Sequence, residues 1–357
     1  MNPAALIPTP DAIPVPWGWF YVLLMLTFLL HLLVMNAMLG GGIIALISTL
    51  RGGNENSLLC KEFSYKWPYT IAFAVNMGVA PLLFVQVLYG QFIYSSSILM
   101  AVWWFSIFGI LILAYYSAYI YDFKFEALGG LRIFMIEFSV LILLLVGFLF
   151  TNNMTLMLQP DKWFAFFGNT GGTLLNLSDP TVIPRYLHFV IGSVAVAGLY
   201  LALIGHFNFA KSAIKKETLI NKGMSYFTIA TSIEIVFGFW FLLALPKEIM
   251  MVFMGKSAYG TGMLVIGIVL ALVALYFSHK RHLISTCICT LLLMIDMIFM
   301  RDLVRVAYLK PYFQLSDLTV TSEYSSLMLF LVTFVIGLAM IGYMLKLALG
   351  CRKEVTK

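Results

Sequence analysis

The chain has 357 residues, of which 62% are hydrophobic and 11% charged, with a formal net charge of +6. A soluble protein carries about 25% charged residues, so this composition excludes a water-soluble fold. The apolar runs are also too long for the strands of a membrane barrel. What remains is an all-α, polytopic membrane helix bundle, because in lipid only helices and closed barrels satisfy their own backbone.

The first 16 residues hold Pro3, Pro8, Pro10, Pro14 and Pro16, one Asp and no Lys or Arg, and show no signal-peptide pattern. Nine apolar spans follow, at 18–50, 68–94, 96–120, 133–158, 181–210, 223–246, 260–278, 284–309 and 324–350. Each exceeds or nears the ~20 residues that cross a bilayer. The first is longer than a crossing needs and must tilt or protrude. Only the stretch YSSS, residues 94–97, separates the second and third, which predicts a tight hairpin there. No soluble domain and no solenoid repeat interrupts the pattern. The expected organisation is one transmembrane domain over 1–350 with a cytoplasmic tail at 351–357.

With the N-terminus outside, the inner segments carry fifteen Lys and Arg. The outer segments carry only Lys162, Arg185, Lys247, Lys256 and Lys310. This asymmetry puts the N-terminus outside and the C-terminus in the cytoplasm. It also accounts for the positive charge as a topology signal, so no nucleic-acid partner is expected. Cys60, Cys287, Cys289 and Cys351 form no CxxC or CxxCH. That excludes a covalent c-type haem site and gives no sign of a thiol metal cluster.

Ionisable groups inside membrane spans are costly and mark functional sites by default. Here they are His31, Glu137, His188, Glu234, Asp296, Arg301, Asp302 and Arg305. His206, His279 and His282 lie at span ends or in an inner loop, where solvent or lipid headgroups meet them. His31 and His188 admit two readings: a helix–helix hydrogen bond, or axial ligation of haem iron, since neutral imidazole is a usual haem ligand. Twenty methionines offer many thioether partners but are also ordinary core filler. Arg301 and Arg305 share a helical face, and Asp302 precedes Arg305 by three. The guanidinium groups suit carboxylates, including haem propionates, or a self-contained Asp–Arg pair.

In this order, these residues resemble subunit I of the cytochrome bd quinol oxidases. LLHLLVMNAMLG in the first span is similar to the family's segment whose His ligates a high-spin haem, and His31 matches that ligand. GVAPLLFVQVLYG at 78–90, ILMAVWWFS at 98–106 and LFTNNMTLMLQP at 149–160 resemble the second, third and fourth helices. In PTVIPRYLHFVIGSVAVAGLY at 180–200, His188 matches the low-spin haem ligand. GMLVIG at 262–267 makes Met263 the candidate for the opposite axial position. In DLVR at 302–305, Asp302 matches a carboxylate that ligates another high-spin haem. The resemblance covers about the first 310 residues.

The departures weigh as much as the matches. Gln86 stands where the family has a Glu, and two further family glutamates fall at Ser97 and Phe105. Those carboxylates belong to the oxygen-reducing site and its proton supply, and neither an amide nor a phenyl ring relays protons. The long quinol-binding loop of the family is reduced to LPKEIMMVFMGKSAYG, 245–260, in which Lys247 and Glu248 are either a remnant of its charged pair or an interfacial Lys and its neighbour.

The resemblance therefore implies a bd-like membrane subunit with two or three non-covalent haem b groups and a degraded oxygen site. It would pass electrons between the quinone pool and an extracytoplasmic partner such as a c-type cytochrome, in a bacterial-type cytoplasmic membrane. His31, His188, Met263 and Asp302 are the candidate iron ligands, with Arg185, Arg301 and Arg305 for propionates. Gln86, Asp302, Glu137 and Glu234 are the candidate catalytic positions. The alternatives are a divergent oxygen reductase fed by cytochrome c, with Glu137 or Glu234 replacing the lost acids, and a haem-free scaffold or transporter.

Overall fold

The computed structural model describes residues 2–355, and its architecture is set by helices that satisfy their own backbone in lipid. The α-helices are α1 (Trp17–Arg51), α2 (Asn54–Ser64), α3 (Trp67–Leu99), α4 (Ala101–Phe123), α5 (Arg132–Met157) and α6 (Val182–His206). They continue as α7 (Lys216–Ala244), α8 (Lys247–Met251), α9 (Ala258–His279), α10 (Leu283–Leu309) and α11 (Ser325–Val355). Among the described residues nine of the helices are long and apolar enough to cross a membrane, matching the nine spans read from the sequence. The face where α1 begins is called the first face below, and the opposite one the second face.

Some boundaries differ from expectation. The YSSS stretch does not end a helix. Ser95 and Ser96 donate to the carbonyls of Gln91 and Ile93 at 2.8 and 3.0 Å, so their hydroxyls are satisfied by the preceding turn of α3. The chain turns later, at Met100. The bend in α3 comes instead at Tyr89, whose φ of −137° and ψ of 32° are non-helical. At the second face Gly52 and Gly53 take φ of +65° and +89°, a region that glycine enters without strain. They turn the chain into α2, a short helix outside the nine spans that the apolar-run reading did not anticipate. No break falls at 351: α11 continues to Val355, and residues 356–357 lie outside the described residues.

The spanning helices α1, α3, α4 and α5 pack as one group and α6, α7, α9 and α10 as another, with α1 against α6 joining them. Glycine permits the tightest crossings. A Cβ at Gly40 would collide with the Ser193 carbonyl across the α1–α6 contact. A Cβ at Gly198 would stand 2.6 Å from the Gly223 carbonyl across α6–α7. α11 is the exception to this packing. Among its described side chains, Leu327 is buried against the bundle and the Phe330 ring meets Phe84 edge-on at 6.4 Å.

Polar residues tie the connections down at both faces. At the second face the fully buried Glu62 of α2 accepts the backbone N–H groups of Lys211 and Ser212, each at 2.7 Å, and pairs with Lys66. At the first face Gln159 donates to Asp179 and accepts from Asn176 at 3.1 Å. The Asn176 N–H reaches Asn152 at 3.2 Å. Ile13 N–H donates to Thr319 O at 2.8 Å and Thr321 N–H to Ile13 O at 2.9 Å. This is the one isolated β-bridge among the described residues.

Backbone contact at Gly40 leaves no flexible atom to move aside. The substitution Gly40→Ala is expected to lower stability by about 1–3 kcal/mol, as overpacking does. Gly109→Ala, where a Cβ meets nothing within 4 Å, should leave it unchanged. Thermal unfolding in detergent compares the two.

Candidate functional site

A cavity of about 410 Å³ lies within the second helix group, walled by α6, α7, α9 and α10 and completed by α1 and the end of α5. Its walls are apolar apart from a few side chains, and these fall in a definite order. Arg185 on α6 lays its guanidinium over the Phe241 ring of α7, 4.9 Å from the centroid. Arg301 on α10 lies over the Phe28 ring of α1 at 4.4 Å. The first contact joins α6 to α7 and the second joins α10 to α1. Reading from the first face inward by helix register, Arg185, Arg301 and Arg305 come first, then His188 and Asn36, then Glu234, then Thr231 and Thr290, all lining the cavity. Helical rise puts Thr231 about 15 Å beyond Phe241.

The centre of this series is a reciprocal contact between α6 and α7. The imidazole of His188 packs over Gly238, where an added Cβ would come within 3.4 Å of the ring. The carboxyl of Glu234 packs over Gly192, where an added Cβ would stand 2.5 Å from Oε1. Each polar residue is thus four residues before the glycine that receives the other helix's side chain. His188 Nε2 and Glu234 Oε1 are 3.7 Å apart, beyond hydrogen-bond length. Nδ1 is buried with no partner. A buried imidazole without a hydrogen bond is unusual and calls for an explanation.

The arginines differ in their partners. Arg305 Nη1 is 3.3 Å from Asp302 Oδ1, with both side chains almost fully buried. Tyr21 donates to Asp302 Oδ2 at 2.9 Å, and Arg305 also covers the Tyr89 ring at 4.9 Å. Arg185 and Arg301 have no carboxylate within ion-pair distance among the described residues. Two cations without counter-ions in an apolar cavity favour a ligand with carboxylates.

The other sequence-derived candidates lie apart from this cavity. Asp302 is engaged by Tyr21 and Arg305 and does not line it. Met263 is buried on α9 but is not among the lining residues; Met154, Met157, Met294, Met297 and Met300 are. The helical register of α9 accounts for this, since Leu264, Gly267, Ile268 and Ala271 form its cavity face. His31 sits between α1 and α3, its ring over Gly78 and its Nδ1 3.0 Å from the Ala74 carbonyl. Gln86 on α3 is half-buried and does not line the cavity. Ser97 accepts from Asn153 at 3.2 Å, and Phe105 is exposed on the outside of α4. Glu137 is exposed near the start of α5, and Lys247 and Glu248 are exposed on α8. Asp296 packs over Gly267, with Oδ2 lacking a partner.

Sequence reasoning singled out His188 and Glu234 separately and missed that they face each other. The available signal was the shared spacing, His188 to Gly192 and Glu234 to Gly238 on consecutive spans. Among the described residues no group of three or more His, Cys, Asp and Glu could hold a bare metal ion. A search against models of known protein families finds no match, and neither does a search of curated proteins.

The Asp302–Arg305 contact gives the Asp302 carboxylate a role in stability that can be measured. Asp302→Ala would leave Arg305 buried and unpaired and should cost about 3–5 kcal/mol in stability. Arg301→Met removes a cation that has no acid partner and should cost far less. Unfolding of the two purified variants measures the difference.

Proposed function

We propose that this protein is a membrane electron-transfer subunit that binds haem non-covalently in the cavity of the second helix group. The observation that carries the reading is the imidazole of His188, whose buried Nδ1 has no hydrogen-bond partner, in an apolar cavity with two arginines that lack acid partners among the described residues. The donor set fits the group. His188 would hold the iron, Arg185 and Arg301 would take the two propionates, and the apolar walls would keep water from the ring. When bound, haem supplies a one-electron carrier. Five methionines on the wall, rather than Met263, would offer thioethers to the iron. His31 would be the ligand of a second haem: its Nδ1 is 3.0 Å from the Ala74 carbonyl, and donating there would leave Nε2 with the lone pair a metal needs.

The resemblance to subunit I of the cytochrome bd oxidases supports the wider role. In that role the protein exchanges electrons between membrane quinone and an extracytoplasmic redox partner such as a c-type cytochrome. The Lys and Arg asymmetry favours the first face outside and the second in the cytoplasm of a bacterial-type inner membrane. Glu234 lies beside His188 rather than His31, and Glu137 is on the outside of α5. Neither position favours the oxygen-reductase alternative, which requires an acid beside the His31 site.

The purified protein should show a haem absorption spectrum that acid–acetone extraction removes completely. His188→Ala should abolish the low-spin α-band. A colourless protein, or colour that stays on the chain after extraction, overturns the reading. With reduced cytochrome c or a quinol as donor, oxygen consumption should be slow or absent; rapid turnover would replace this reading with the oxygen reductase.

A further inference from the structure

His188 is not positioned by its own helix alone. Its ring rests on α7, in the space that Gly238 leaves, and the nearest ionisable group is the Glu234 carboxyl at 3.7 Å. That carboxyl rests in turn on α6, in the space left by Gly192. The two sockets are offset by one helical turn in each helix, and α6 and α7 run antiparallel. Rotating or sliding either helix would therefore disturb both contacts together. Just beyond, the backbones of Gly198 and Gly223 meet so closely that neither tolerates a Cβ without movement. The clasp is built on a rigid crossing. The surface that His188 and Glu234 retain, 19% and 17% of their side chains, belongs to residues that line the cavity.

We infer that Glu234 is a positioning residue for His188: its carboxyl, seated on Gly192 and 3.7 Å from Nε2, sets the orientation of the imidazole. This rests on the proposal that His188 holds haem iron. The physical reason is general. A ligating imidazole is held by a second group, most often a carboxylate or carbonyl, which fixes the ring and raises its basicity. Here that group comes from the neighbouring span, so ligand geometry depends on the register of α6 against α7. The stretch HFVIG supplies the imidazole and one socket, and EIVFG supplies the carboxylate and the other.

The test uses the purified full chain and two substitutions that disturb the contact differently. Glu234→Gln removes the carboxylate and keeps its size. Gly192→Ala keeps the carboxylate but drives a Cβ into its seat. Both should weaken haem retention about 10- to 100-fold, alter the low-spin α-band, and shift the midpoint potential. Gly262→Ala on α9, where a Cβ meets nothing within 4 Å, should match wild type in all three. Wild-type retention, band and potential in both Glu234→Gln and Gly192→Ala overturn the inference. A cycle of His188→Ala and Glu234→Ala, read by thermal unfolding, adds an arm that needs no haem. The pair should depart from additivity by at least about threefold in the unfolding equilibrium, and additive effects overturn the clasp. A colourless wild type sinks the haem reading, and the cycle then decides the clasp by itself.

Discussion

Everything in this bundle depends on how polar side chains are accommodated at lipid depth. A charged or polar group there must find room and a partner inside the protein, because lipid offers neither. The protein meets the first need with glycine. His31 sits over Gly78, His188 over Gly238, Glu234 over Gly192 and Asp296 over Gly267. In each case the facing helix gives up its side chain at one position so that a polar one can lie flat against the backbone. The helices therefore stay close together around groups that would otherwise hold them apart. The second need is met unevenly. Asp302 pairs with Arg305 and accepts from Tyr21, though Asp302 Oδ1 and Arg305 Nη1 make no hydrogen bond, whereas Arg185 and Arg301 line one cavity with no acid partner among the described residues.

That unevenness follows from the packing. α6 and α7 are drawn together by Gly198 and Gly223 and by the His188–Glu234 contact, while α9 and α10 form their own pair and α10 meets α6 only sparsely. A bundle closed tightly on one side and loosely on the other leaves an internal volume bounded by the tight side's polar groups. The arginines occupy its first-face end, where each flat guanidinium lies over an aromatic ring. Such stacking lowers the cost of holding a cation out of water, by about 2 kcal/mol where the pair is desolvated. It also leaves the N–H edges of Arg185 and Arg301 free for a carboxylate.

The fold was largely legible in the sequence, because hydrophobic length at a membrane's scale admits one kind of element and the runs were long. What escaped had local causes. The serines at 95 and 96 looked like a break, yet their hydroxyls bond within the helix that carries them. α2 is short and amphipathic, and an apolar-run reading passes over it. Of the site, the identities of His188, Arg185 and Arg301 were visible as isolated polar letters in apolar text, and Glu234 likewise. Their convergence was not, because it depends on helix rotation. The same uncertainty explains Met263, which is one residue away from the cavity-facing Leu264. Asp302 could be read as a ligand or as the partner of Arg305, and the three-residue spacing could not say that Tyr21, 281 positions away, would take its second oxygen.

The β-bridge at the first face bears on how the protein is made. Ile13 and Pro14 are held by backbone bonds to Thr319, Thr321 and Glu323, with about 300 residues of chain between the two strands. A ribosome releases the Ile13 segment early and its partner segment only after eight spans have been made. Until then the carbonyl and N–H of Ile13 must be served by water or by a translocation factor. The bridge then closes a loop containing those eight spans and anchors the start of α11, a helix that the bundle itself scarcely grips. Its formation is therefore a late event of assembly.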